Sequence, residues 1–224
     1  MNLQGNLNSV REKIAQSAIH SGRKIEDVHM IAVTKYFDVG INQHLYDLGV
    51  SEFAENRVDK FILKATILAQ YEDIIWHFIG NLQRRKVKKV INHIDYFHAL
   101  DSFALAQEIE KYACELKKCF VEVNVSGEES KHGFSVEEVE PFLRDLCLLT
   151  KIQVVGLMTM APFAATSEEL HEYFGKLKNL QEEMSKLNLP YAPCTQTSMG
   201  MSSDFEIAIE QGASYIRIGS ALYE

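Results

Sequence analysis

Long hydrophobic runs are absent from this 224-residue chain, although 46% of its residues are hydrophobic. The longest apolar stretches, such as residues 152–158, fall far short of the ~20 needed for a membrane-spanning helix. Proline is scarce, at four residues, and no low-complexity tract interrupts the chain. Nothing marks a boundary, so one domain over residues 1–224 is expected. The four cysteines (Cys114, Cys119, Cys147, Cys194) form no CxxC pair, and the eight histidines form no HExxH. No metal site is expected. The N-terminal segment carries no apolar signal core, and reduced thiols in a cytoplasmic protein are the simplest expectation. Basic residues are also in deficit, 23 Lys and Arg against 31 Asp and Glu, for a net charge of −8. Such a balance argues against non-specific nucleic-acid binding, and neither nucleic acid nor a membrane is expected as a partner.

What the chain does have is alternation. Leu3, Leu7, Val10, Ile14 and Ala18 recur at helical spacing, so residues 2–20 read as an amphipathic helix. Short buried-type strands are expected near 30–34, 52–54, 75–79, 95–99, 120–125, 152–158, 193–197 and 214–218. Helical segments fall between them, near 39–48, 57–70, 83–92, 102–117, 135–149, 166–188 and 203–211, with Ser102 and Ser135 placed as N-caps. Strict β-α alternation implies a parallel sheet covered by helices. Eight strands in so short a chain point to an α/β fold, a compact (β/α)8 TIM barrel, with the N-terminal helix filling the gap at the C-terminal end. An open doubly wound sheet competes, but no GxGxxG follows the first strand.

In such a barrel the chemistry sits at the C-terminal ends of the strands. Lys35 follows Ile31-Ala32-Val33-Thr34; Glu55-Asn56 follow Phe53-Ala54; Gly80-Asn81 follow Ile79, and Asn124 closes its strand. Ser198-Met199-Gly200-Met201-Ser202 comes after the seventh expected strand, and Arg217-Ile218-Gly219-Ser220 ends the eighth. Each has a plain reading. A strand-end lysine snorkels to solvent, Gly/Ser segments make turns with Ser202 or Ser203 as an N-cap, and Asn56 and Asn124 satisfy loop backbone. His77 reads as a hydrogen-bonded core histidine, and the 84–89 basic run as a solvated helix face open to an acidic partner. The conjunction says more. A lysine partly desolvated at a barrel mouth loses its proton more readily and can form a Schiff base. Gly/Ser turns beside a helix start present N–H groups to a phosphate.

Ala32-Val33-Thr34-Lys35, Phe53-Ala54-Glu55-Asn56, Trp76-His77-Phe78-Ile79-Gly80, Leu82-Gln83, Ser198-Met199-Gly200-Met201-Ser202-Ser203-Asp204 and Arg217-Ile218-Gly219-Ser220 together resemble the pyridoxal phosphate homeostasis protein family. That family is related in fold to the N-terminal barrel of alanine racemase. The resemblance runs from about residue 7 to the end, with Ala54 where the family usually has glycine. It implies pyridoxal 5′-phosphate (PLP) as cofactor, with Lys35 as the aldimine lysine. It implies that Ser198, Ser202, Gly219 and Ser220 hold the phosphate, that Asn56 lines the pocket, and that Arg217 faces the pyridine nitrogen. It further implies a role in PLP and amino-acid homeostasis, with PLP-dependent apoenzymes as partners, a monomeric state and no reaction of its own.

An arginine at the ring nitrogen disfavours the pyridinium electron sink, which suits holding PLP better than carbanion chemistry. Three other readings remain open on sequence. A weak amino-acid racemase would need an acid or base opposite Lys35, which the sequence does not identify. An aldolase-like barrel would use Lys35 on a sugar-phosphate carbonyl. An interaction protein would use the basic run 84–89.

Overall fold

The computed structural model describes residues 2–128 and 131–224. The chain opens with helix α1 (Leu3–His20), whose buried Leu3, Leu7, Val10, Ile14 and Ala18 form the apolar stripe its spacing requires. Asn2 caps it, accepting from the Gly5 amide at 3.1 Å. Then follow β1 (His29–Val33), α2 (Val39–Asp47), β2 (Glu52–Glu55), α3 (Val58–Ile67), β3 (Ile75–Phe78), α4 (Val87–Val90), β4 (Tyr96–Leu100) and α5 (Phe103–Tyr112). The second half runs β5 (Lys117–Glu122), α6 (Val136–Asp145), β6 (Ile152–Met158), α7 (Ser167–Ser185), β7 (Gln196–Met201), α8 (Phe205–Glu210), β8 (Tyr215–Ile218) and α9 (Ser220–Tyr223).

The strands form a closed parallel barrel in sequence order, with β8 pairing back onto β1. This is the alternating architecture expected from the sequence. Ser102 and Ser135 cap α5 and α6 as expected, and Ser135 forms a capping box with Glu138. Helix α1 closes the outer layer against α8 and α9, where the Asn6 side chain donates to the Leu222 carbonyl at 3.1 Å.

Several boundaries differ from the sequence reading, among them the ends of β5 at Glu122 and α6 at Asp145, expected at 125 and 149. The segment expected as one helix over 83–92 is a 3₁₀ turn at Arg84–Lys86, the short α4, and a second 3₁₀ turn at Ile91–His93. The helix expected over 102–117 stops at Tyr112, and Lys117 begins β5. The seventh strand, expected at 193–197, is Gln196–Met201, so Ser198 to Met201 lie in the sheet rather than in the turn after it. The cause is Gly200, at φ 90°, where a Cβ would press on the Ala208 Cβ at 2.6 Å. A positive-φ glycine reads as a turn, yet here it kinks a strand, and the register of β7 against β8 shifts between Ser198 and Met201.

Between the sheet and α2/α3 lies a buried polar cluster. Lys64 of α3 and Glu55 of β2 form an ion pair at 2.5 Å, with side chains 2% and 0% exposed. The Lys64 ammonium also donates to the Thr34 carbonyl at 2.8 Å and its hydroxyl at 3.0 Å. Asn42 donates to the same hydroxyl at 3.1 Å, and Thr34 donates to Glu55 at 2.8 Å. Lys64→Met strands a buried carboxylate and is expected to lower the unfolding free energy by about 3–5 kcal/mol in urea titrations. Adding Glu55→Leu is expected to recover much of that loss. A single-variant loss of under about 1 kcal/mol, the scale of an exposed pair, would contradict the burial argument.

Candidate functional site

Closure of the barrel sets the ends of β1 and β8 side by side, with Ala32 opposite Ile218. Lys35 lies two residues beyond β1, in a turn closed by the Phe37 amide donating to the Thr34 carbonyl at 2.9 Å. It is half-buried, with Nζ 5.0 Å from the Tyr36 ring centroid. The turn is held from both sides. Lys64 and Glu55 anchor Thr34 below it. Phe37 packs at a tilt against Tyr223 with ring centroids 4.0 Å apart, and the Tyr223 hydroxyl donates to the Val33 carbonyl at 3.2 Å.

Across the closure, the Gly219 and Ala221 amides both donate to the Ser202 hydroxyl, at 3.0 and 3.2 Å. Two N–H groups therefore converge on one oxygen, the donor arrangement an anionic oxygen would also use. A Cβ at Gly219 would stand 3.8 Å from the Val33 Cβ, filling space between the two strand ends. Ser220 beside it is exposed. The residue at the N-cap position of the helix after β7 is Asp204 rather than Ser202 or Ser203, and its carboxylate accepts not from the helix but from the preceding Met201 amide, at 2.6 Å. Asn56 follows β2, half-buried, and Gly80 packs so closely on its backbone that any side chain at 80 would collide with the Asn56 carbonyl. Asn124 is a loop residue, accepting from the Gly127 amide at 3.0 Å and donating to the Glu128 carbonyl at 2.9 Å.

Arg217 forms the floor. It is 4% exposed, and burial lowers its pKa to about 10, which leaves it a cation at neutral pH. Its guanidinium donates to the Ser198 hydroxyl at 2.5 Å and the Thr159 carbonyl at 2.8 Å. Ser198 is thus not on the rim with Lys35, Ser202, Gly219 and Ser220. It is fully buried inside the barrel, its hydroxyl shared between Arg217 and His98. A strand-end amine, a pair of convergent amides and a buried guanidinium fit an aldehyde that carries a phosphate.

The family model described as alanine racemase, N-terminal domain, matches residues 5–224. A pyridoxal phosphate homeostasis protein of Aquifex aeolicus is 35% identical over 100% of this chain and 98% of its own length. One from Synechocystis is 37% identical over 88% of this chain and 90% of its own. The chain belongs to the pyridoxal phosphate homeostasis protein family. The structure of PipY from Synechococcus elongatus with PLP bound superposes with a TM-score of 0.87 at 30% identity, covering 99% of this chain and 100% of PipY. Alanine racemase of Clostridium difficile, at 20% identity and a TM-score of 0.72, shares the fold over 59% of its own length.

Three site residues carry no signal in the sequence, Lys64, Glu52 and Glu122, while Glu55, expected at the rim, is buried. Lys64 and Glu55 steady the Lys35 turn, as above. Glu122, at the end of β5, is 3% exposed; burial and then Asp101 push its pKa up, and its Oε2 has no hydrogen-bond partner among the described residues. Glu52, the first residue of β2, faces the barrel interior, where His29 Nδ1 lies at 2.8 Å and His77 Nε2 at 3.1 Å. A carboxylate next to two histidines reads in sequence as ordinary strand-start polarity, because the histidines lie 23 and 25 positions away from it.

Burial alone would raise the Glu52 pKa, but hydrogen bonds from the two histidines outweigh it and hold the group at about 2, below its ordinary 4.5. The same contact with Glu52 raises His29 above 6.5. A depressed carboxyl stabilises the fold above its unfolded pKa and loses that contribution as pH falls through its folded one; a raised histidine stabilises below its unfolded pKa and loses it as pH rises through its folded one. The two overlap fully between about pH 4.5 and 6.5. The difference in urea midpoint between wild type and Glu52→Gln is expected to peak in that window and shrink on both sides. A difference that is flat with pH would contradict the pairing.

Proposed function

We propose that this chain binds pyridoxal 5′-phosphate at the mouth of its barrel and serves PLP and amino-acid homeostasis by holding and releasing the cofactor, without turnover of its own. The observation that carries this reading is the placement of Lys35 after β1 and of the convergent Gly219 and Ala221 amides after the adjacent β8, with Arg217 buried in β8. The PLP-bound structure of PipY and the names of the relatives support it. When bound, PLP supplies an aldehyde that condenses with primary amines. Lys35 is the amine that holds it. The Gly219 and Ala221 amides with the Ser202 and Ser220 hydroxyls hold the phosphate, Asn56 flanks the ring, and Arg217 meets the ring nitrogen. Ser198 acts from below, through Arg217. A permanent cation at that position opposes protonation of the ring nitrogen, which weakens the electron sink that bond cleavage at Cα requires.

Exchange with PLP-dependent apoenzymes is the purpose that an accessible Lys35 serves. Tyr36 beside it and Phe163 after β6 are exposed aromatics at the same end of the barrel, suited to a transient protein contact. We assign the protein a monomeric, cytoplasmic state. Four unpaired cysteines support the reducing compartment. No helix among the described residues is long and apolar enough to cross a membrane.

Purified protein mixed with PLP is expected to develop a visible absorption band that borohydride bleaches, with the reduced label mapping to Lys35. Lys35→Ala is expected to lose that label at residue 35 and to bind PLP more weakly, while enantiopure alanine is left unracemised by the wild type. Absence of a band at saturating PLP would contradict the assignment and favour a sugar-phosphate ligand. Steady racemisation would turn the reading towards an enzyme.

A further inference from the structure

The barrel interior holds an unbroken chain of hydrogen bonds running from one end to the other. At the closed end, where the strands begin, His29 Nδ1 lies 2.8 Å from Glu52 Oε1. Glu52 Oε2 lies 3.1 Å from His77 Nε2, His77 Nδ1 is 2.9 Å from His98 Nε2, and His98 Nδ1 is 2.9 Å from the Ser198 hydroxyl. That hydroxyl accepts from Arg217 at 2.5 Å, at the floor of the cofactor site. Six side chains from β1, β2, β3, β4, β7 and β8 thus meet along the barrel axis.

The ends dictate the direction of every bond between them. A guanidinium has only donors and a carboxylate only acceptors. Ser198 accepts from Arg217 and passes its own proton to His98 Nδ1. His98 is then protonated on Nε2 and donates to His77, and His77 is protonated on Nε2 and donates to Glu52. Both rings are neutral in this arrangement, in keeping with the downward pKa shift that burial imposes on each. Aromatic rings sheathe the chain: Tyr96 stacks on His77 at 4.8 Å, Phe120 on His98 at 4.5 Å and Tyr215 on His29 at 4.5 Å. Burial of His77, His98, Ser198 and Arg217 keeps the bonds among them strong and makes any break there costly. Among the described residues the charges that act directly on Arg217 are Asp204 and Glu122, and neither hydrogen-bonds it.

We propose that His77 and His98 are positioning residues that transmit the carboxylate charge of Glu52 to Arg217, so that the guanidinium under the cofactor is oriented by an acid it does not touch. Only the last step, the effect on the bound ligand, rests on the PLP reading above. The closed end also opens into a groove of about 460 Å³ lined by Glu52, Arg11, Val28, Met30 and Val50, which exposes one end of the chain to solvent.

Two measurements test this. The first uses ligand-free wild type with ¹⁵N-labelled histidine: His77 and His98 are each expected to carry the proton on Nε2 with Nδ1 bare, at all pH values near neutrality. A proton on Nδ1 of either ring would overturn the polarity. The second uses Glu52→Gln, whose amide can reverse the first bond. It is expected to move the His98 ring nitrogens and the Arg217 side-chain signals, and to weaken PLP about tenfold, the scale of coupling between separated sites. In a Ser198→Ala background, which cuts the chain, the same substitution is expected to leave PLP affinity unchanged. Unmoved His98 and Arg217 signals in Glu52→Gln, or an undiminished effect on PLP in the Ser198→Ala background, would overturn the proposal. Failure of wild type to take up PLP would instead defeat the function proposed above, while the ring-nitrogen patterns would still decide this inference.

Discussion

A parallel barrel has no free edge only when its last strand pairs with its first, and every feature of the site follows from that closure. In this chain β8 has only four residues, and it pairs with β1 from His29 to Ala32. The segments nearest the two chain ends are thereby forced together. Lys35 beyond β1 comes beside Gly219 and Ser220 beyond β8, and α1 covers the seam outside against α8 and α9. Tyr223 ties the seam shut by bonding the Val33 carbonyl and packing on Phe37.

Closure leaves a buried interior that is lined here by polar groups. A buried cation and a buried carboxylate are tolerable only when each finds partners. Arg217 and Glu52 find them through one intervening sequence of hydroxyl and imidazole groups rather than through direct contact. The outer layer has its own polar cluster, Thr34, Asn42, Glu55 and Lys64, and this one steadies the turn that carries Lys35. The two clusters lie on opposite faces of the same strands, as the alternation of Glu52 and Glu55 along β2 requires.

Much of this was legible in the sequence. The order of strands and helices follows from short apolar runs separated by amphipathic segments, and the closed barrel follows from their number and the chain length. Lys35, Ser202, Arg217, Gly219 and Ser220 fall at strand ends, where period and punctuation both point. The end of β7 was misread because Gly200 mimics a turn, and only tertiary contacts reveal that Ser198 is clasped by His98, 100 residues away. Lys64 was hidden for a different reason. A lysine on an amphipathic helix is ordinarily solvated, and nothing local signals that Glu55 waits beneath it. The axial chain likewise joins residues from six strands, so no spacing within one segment announces it.

The measurement that tests the account most directly is a crystal structure of the protein loaded with PLP and reduced with borohydride. The account predicts continuous density from Lys35 Nζ to the cofactor, the phosphate on the Gly219 and Ala221 amides beside Ser202, and the ring nitrogen facing Arg217. Cofactor attached to another lysine, or a phosphate bound away from the β7 and β8 ends, would contradict it.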